Sequence, residues 1–232
     1  NGQWRYNADE SNEFLYKERT LAAYLSAKKL LTEKLQLQAG LRYEHTWTES
    51  NQLTQRQINR SHYGRFYPTL HLNWQLKDNQ NLALAANWGI ERPNFNDLNP
   101  FRIYTSTTDY MTGNPYLTAA YTRNVEINYS NGKGLYAVLY NNHGKGEIGW
   151  RTQFLENGSQ VTGPYDGLRH EKTGIYANYN RNVLTWLNLN IGGEIYYYDS
   201  HSDYQTNVLQ IHGWGKRAEG SLSFMLNHQK TL

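Results

Sequence analysis

The sequence predicts an all-β chain, an antiparallel up-and-down run of about nine strands that forms a segment of a transmembrane β-barrel. Three observations carry this. Apolar and polar residues alternate strictly along segment after segment, the signature of an extended strand with two unlike faces. The links between those segments alternate short and long. No apolar run approaches the roughly 18 residues that a membrane helix needs; the longest are LAAYL at 21–25 and LALAA at 82–86.

The first strand is set by Leu21, Ala23, Leu25 and Ala27, with Tyr24, Ser26 and Lys28 between them. In KLQLQAGLRYEHTW, residues 34–47, Leu35, Leu37, Ala39, Leu41 and Tyr43 oppose Gln36, Gln38, Gly40, Arg42 and Glu44. Leu70, Leu72, Trp74 and Leu76 mark a third strand, and Leu82, Leu84, Ala86, Trp88 and Ile90 a fourth. Val125, Ile127 and Tyr129 follow, then Leu135, Ala137 and Leu139, then Ile175, Ala177 and Tyr179. Leu187 to Tyr197 alternates with Asn188, Asn190, Gly192 and Glu194, and Ala218 to Leu226 closes the series before the turn-like NHQKTL.

Short links are expected at 30–33, 77–80, 131–134 and 181–185, and long ones at 45–62, 92–120, 141–170 and 199–208. In an up-and-down sheet this puts every short turn at one end and every long loop at the other. Outer-membrane barrels have that asymmetry, with short periplasmic turns and long extracellular loops. A soluble β-sandwich also alternates, with its apolar face turned inward, but has no reason to segregate loop length. The amides Gln36, Gln38, Asn73, Gln75, Asn188 and Asn190 suit a wet lumen wall, and Trp47, Trp74, Trp88 and Trp186 suit aromatic girdles near strand ends.

Composition agrees. Apolar residues make up 38% of the 232, yet 20 Tyr, 7 Trp and 6 Phe bring aromatics to 14%. A mean hydropathy of −0.82 is compatible with a barrel, because its lumen-facing residues are polar. The net charge of +3 is spread along the chain without a basic run, so nucleic acid is not an expected partner. There is no cysteine, hence no disulfide scaffold or thiol chemistry.

The densest segment is WGIERPNFNDLNPFRIYTSTTDYMTGNPYLT, residues 88–118. Arg92-Pro93 ends a strand, since proline cannot donate to a ladder, and Asn99-Pro100 and Asn114-Pro115 are turn dipeptides. With Phe95, Phe101, Tyr104 and Tyr110 between them, this reads as a folded loop lining a ligand vestibule, or as one whose residues hold it against its neighbours.

In this order, Gly40-Leu41-Arg42-Tyr43-Glu44, Tyr67-Pro68-Thr69, Arg92-Pro93 with Leu98-Asn99-Pro100-Phe101, and Gly113-Asn114-Pro115-Tyr116-Leu117 resemble the barrel of TonB-dependent receptors in the form common in Bacteroidetes. The resemblance covers about residues 13–200 and departs at Thr118-Ala119-Ala120, where the family usually has Pro-Glu. It implies a 22-stranded outer-membrane barrel filled by a plug on which TonB pulls. Residues 1–232 then form one partial barrel domain, with the plug outside it. Implied partners are outer-membrane lipid, the TonB complex through the plug, and a small-molecule, glycan or peptide ligand; a surface lipoprotein is left open. On this reading Arg42 and Glu44 on the lumen face, and Arg92, Tyr104, Asp109, Tyr110 and Asn114 in the long loop, are the candidates for ligand or plug contact.

No cofactor is expected. The eight histidines show no metal-ligand spacing, and Ser221 and Ser223 lack a nucleophile elbow, so no enzyme is expected. A nutrient receptor is the leading expectation. A soluble or surface lectin-like module and an outer-membrane hydrolase are the other two readings.

Overall fold

A computed structural model describes residues 11–54, 56–204 and 207–224, which leaves Leu226 and NHQKTL outside the described residues. Alternation becomes strand almost everywhere. The elements are β1 (Phe14–Thr32), β2 (Leu35–Gln52), β3 (Gln57–Lys77), β4 (Gln80–Glu91), a one-turn α1 (Phe95–Leu98), the two-residue β5 (Ile103–Tyr104) and β6 (Tyr110–Met111), β7 (Ala120–Asn131), β8 (Leu135–Phe154), β9 (Gln160–Leu184), β10 (Leu187–Tyr204) and β11 (Asn207–Phe224). The nine long strands lie side by side in chain order, and each is antiparallel to the next. The described residues thus make one sheet, not the two face-packed sheets of a sandwich.

Register shows what the alternation is for. Leu37, Leu72, Leu84, Ile127, Leu139, Ile175 and Ile195 form one unbroken row across seven strands. Directly opposite partners share a face, so this surface of the sheet is mainly apolar; the row ends at Lys29 on β1 and Lys216 on β11. The next row, on the other face, reads Gln38, His71, Ala85, Glu126, Tyr140, Gly174 and Tyr196. A one-residue slip anywhere would swap the two sets, so a hydrophobic environment on one side fixes every register at once. On the apolar face Leu25 is 77% exposed and Ile195 51% exposed, with no protein layer over them. Burying such area is worth about 25 cal/mol per Å², and for this face the hydrocarbon of a bilayer is the layer that supplies it.

The short links are as expected: tight turns at 33–34, 78–79, 132–134 and 185–186. Three of the four long links are not. Residues 45–52 and 57–62 continue β2 and β3, 141–154 and 160–170 continue β8 and β9, and 199–204 continues β10. These are tall hairpins, not loops. Their hydrophobic period disappears because both faces stand above the hydrocarbon, among headgroups and water, where nothing demands an apolar side. A β9 of 25 residues is far longer than the roughly 9–11 that a tilted strand needs to cross. Only 92–119 is a true long loop, and it folds on the polar face.

The tryptophans fall partly as expected. Trp186 lies in the β9–β10 turn and stacks on Phe224 at 6.0 Å, and Trp74 lies near the short-turn end of β3. Trp88 is near the far end of β4, but Trp47 sits within β2, because that strand runs on to Gln52.

Candidate functional site

The loop 92–119 starts where Pro93 ends the β4 ladder, and it is ordered by its own sequence. Asn94 caps α1, its side-chain oxygen accepting from the Asp97 amide at 3.0 Å, and Leu98 is buried at 3% exposure. The chain returns through Gly113, whose amide donates to the Asn99 carbonyl at 3.0 Å, and the Asn114 amide donates to the Asp97 carbonyl at 2.6 Å. A Cβ on Gly113 would drive into the Asn99 carbonyl and stand 2.7 Å from that of Asp97. The two turn elements Leu98-Asn99-Pro100 and Gly113-Asn114-Pro115 are therefore halves of one clasp, and glycine is required at the point of closest approach.

The clasp is moored on both sides. Toward β3, Asn59 Nδ2 donates to the Pro115 carbonyl at 3.0 Å, and Gln57 bonds the Tyr116 hydroxyl. Toward β9, β6 pairs in parallel through Tyr110 and Met111, and the Gln160 amide donates to Asp109 Oδ1 at 2.9 Å. That bond, with those from Ser106 and Thr108, holds the Asp109 carboxyl below the usual carboxylate range. At Thr118-Ala119-Ala120 the Thr118 amide and hydroxyl both bond Asp166 on β9, at 3.0 and 2.6 Å. Ala119 and Ala120 are buried at 5% and 2%, so small side chains let the loop lie close as it becomes β7.

At the root of the loop lies an ionic cluster. Arg92 bonds Glu44, reaches Glu18 Oε1 at 3.3 Å and donates to Thr46 Oγ1 at 3.1 Å. Arg42 pairs with the same Glu44. Glu44 is 2% exposed and Thr46 fully buried, deep burial for a sheet whose residues are mostly open. A carboxylate so buried needs its charged partners, and here one comes from the loop and one from the wall.

Above this cluster a cavity of about 370 Å³ opens between the loop and the polar face of β1–β3. Tyr16, Ser50, Asn59 and Tyr63 line it from the strands, and Leu98, Tyr116 and Tyr121 from the loop and the start of β7. The Arg65 guanidinium covers the Tyr121 ring at 3.7 Å. Phenol rings that offer both a flat face and a hydroxyl suit a small polar ligand.

The structure brings Arg42, Glu44 and Arg92 together on the polar face. It separates them from Tyr104, Tyr110 and Asp109, which form a small hairpin against β9, their rings 5.5 Å apart with Arg102 over Tyr110 at 5.0 Å. None of those three lines the cavity, and neither do Arg42, Glu44, Arg92 and Asn114. Asn114 faces into the clasp, its oxygen accepting from the Tyr116 amide at 3.0 Å and its nitrogen reaching the Pro164 carbonyl at 3.4 Å. Tyr16, Tyr63, Tyr116 and Tyr121 were not singled out by the sequence. Carrying the β2 face period outward from Glu44 through Thr46, Thr48 and Ser50 would have found the first two, since Tyr63 pairs with Thr46 and Tyr16 with Ser50.

Farther round the wall a second cluster lies on the same face. Lys172 Nζ bonds Glu194 at 2.9 Å and sits 3.8 Å from the Tyr196 ring centre, the Tyr140 hydroxyl bonds Glu194, and Arg217 approaches Glu194 at 3.8 Å. Among the described residues no group of three or more His, Asp or Glu side chains is placed to hold a metal ion.

Comparison with known proteins agrees with this architecture. A search of curated proteins finds no match. Among solved structures, the siderophore receptor PirA from Pseudomonas aeruginosa is similar at a TM-score of 0.51 and 13% identity, over 94% of this chain and 52% of that one. The FrpB iron transporter from Neisseria meningitidis gives 0.54 and 14%, over 90% and 35%. The copper transporter OprC gives 0.60 and 13%, over 89% and 34%. The chain thus spans about half the length of the first and about a third of the other two. At such identities the likeness is one of fold, and the fold is that of outer-membrane receptor and transporter barrels. The model of the outer membrane protein beta-barrel family matches residues 1–232. With its apolar face turned to lipid and its loop folded into the polar side, the chain belongs to the outer membrane protein β-barrel family and is a component of the bacterial outer membrane.

Proposed function

We propose that this chain supplies part of the wall and the extracellular side of a TonB-dependent receptor that binds a scarce nutrient and admits it to the periplasm. The carrying observation is the loop 92–119, folded over the polar face, rooted by Arg92 on Glu44 and Glu18, and roofing a tyrosine-lined cavity. A loop held this way can meet a ligand and pass its binding on to the wall. Further strands would pair with the outer edges of β1 and β11, where unpaired backbone groups invite them, and a plug would contact the polar face. The ligand would be held in the cavity by Tyr16, Tyr63 and Tyr121, while Arg42, Glu44 and Arg92, outside its lining, would fix the root of the loop that roofs it; Tyr104, Asp109, Tyr110 and Asn114 would shape that loop. PirA, FrpB and OprC are named for a siderophore, iron and copper, so metal ions and metal chelates are the first substrate class to test. Peptides, glycans and cobalamin are further classes.

The test is uptake by cells with and without the full-length protein, using radiolabelled ferric chelates, copper, oligosaccharides and cobalamin. The expected result is loss of accumulation for one class, abolished equally by a proton-motive-force uncoupler. Unchanged uptake of every class, or uptake indifferent to the uncoupler, would contradict the reading.

A further inference from the structure

The outward face of β1–β3 changes character with height. Ascending row by row it reads Leu25, Leu41, Pro68, then Ala23, Tyr43, Phe66, then Leu21, His45, Gly64. The next row is Arg19, Trp47, His62, and the one above it Lys17, Glu49, Arg60. No register shift interrupts the ladders over these rows, so the cations stand on the same face as the leucines below them. Apolar wall, aromatic row and cationic row therefore follow one another on the lipid side.

These upper side chains enclose a cleft of about 430 Å³. Trp47 is 46% exposed and forms part of its wall. Glu49 is the only carboxylate lining the cleft, with Arg60 Nε at 2.8 Å and Lys17 Nζ at 3.8 Å; Arg19 adds a third cation. Positive charge is thus in excess, at the height where the aromatic row meets the headgroup layer. Fixed cations there meet negative charge directly, each worth a sizeable attraction near an anionic surface.

We propose that this cleft binds a phosphorylated lipid headgroup of the outer leaflet, with Lys17, Arg19 and Arg60 on the phosphate and Trp47 against the sugar or acyl edge. Glu49 holds Lys17 and Arg60 in place while leaving each a donor for the ligand. A headgroup clamped here braces β1–β3 from outside, opposite the cavity on the inner side of the same strands.

The test uses the full-length protein in detergent, immobilised and offered fluorescent lipid A, dephosphorylated lipid A, or inorganic phosphate as competitor. Wild-type protein is expected to retain lipid A in preference to the dephosphorylated form. Combined Lys17→Gln, Arg19→Gln and Arg60→Gln should lower retention by about tenfold or more. Lys133→Gln, at the opposite end of the wall, should leave retention unchanged, and heat-modifiable migration verifies that each variant is folded. Equal retention of the dephosphorylated lipid, or full retention by the folded triple variant, would overturn the proposal. Displacement of lipid A by equimolar inorganic phosphate would overturn the lipid assignment in favour of a free-anion site.

Discussion

Two ionic clusters sit on the same polar face and do different work. Glu194 is met by Lys172, Tyr140 and Arg217, all from strands of the wall, and it is 13% exposed with Lys172 at 29%. Glu44 is met by Arg42 from its own strand and by Arg92 from the base of the loop, and it is 2% exposed. The first cluster stitches neighbouring strands whose backbones are already paired. The second joins a loop to a wall that would otherwise not hold it. Burial follows from that difference, because only a covering segment can bury a lumen-face carboxylate in an open sheet. The Glu44 cluster is therefore the ionic link between the loop and the wall.

The largest separation between the two clusters is expected from Glu44→Gln. It removes the buried carboxylate that Arg92 and Arg42 share and should cost about 2–3 kcal/mol, seen as rapid protease cleavage within 92–119 in the intact protein. Gly113→Ala should come next, opening the clasp by about 1–3 kcal/mol as its new methyl meets three carbonyls; cleavage should rise while the wall keeps its heat-modifiable migration. Glu194→Gln should cost about 1 kcal/mol or less, since this carboxylate is itself partly hydrated and anchors no loop, and should leave loop cleavage at the wild-type rate. Faster cleavage in Glu194→Gln than in Glu44→Gln would reverse the comparison.

The smallest effect concerns pH. The Asp109 carboxyl is held low by the Gln160 amide, so its contribution is fully present above the ordinary aspartate value of 3.8. It is lost only as pH falls through the lower folded value. Protection of the Gln160 amide, taken relative to its intrinsic exchange rate, should thus hold through pH 4 and fall below it in wild type, and Asp109→Asn should remove that pH step.

Much of this was legible in the sequence. Leu35 to Tyr43 declares its faces because lipid tolerates no polar side chain on one of them. From Thr48 to Gln52 the same strand is silent, since it stands above the hydrocarbon with polar surroundings on both sides, and so the hairpins read as loops. Arg42, Glu44 and Arg92 could be named because charged residues in mid-strand and at a proline-terminated strand end are conspicuous. That Arg92 would close onto Glu44, 48 residues away, depended on the fold of the loop between β4 and β7. Asp109 and Asn114 stood out for the same polarity but spend it on backbone groups, Asp109 on the Gln160 amide of β9 and Asn114 on the Tyr116 amide and the Pro164 carbonyl, a distinction that only hydrogen-bond geometry makes. Tyr16 and Tyr63 stayed hidden in the silent part of the period.

The most direct test of the account is the orientation of the wall. Spin labels placed one at a time through Leu41→Cys, Ile175→Cys, Gln38→Cys and Asn190→Cys, in the full-length protein in lipid vesicles, report exposure to oxygen and to an aqueous nickel chelate. The account predicts that labels at 41 and 175 see oxygen and those at 38 and 190 see nickel. Labels at 41 and 175 that saw nickel and not oxygen would contradict it.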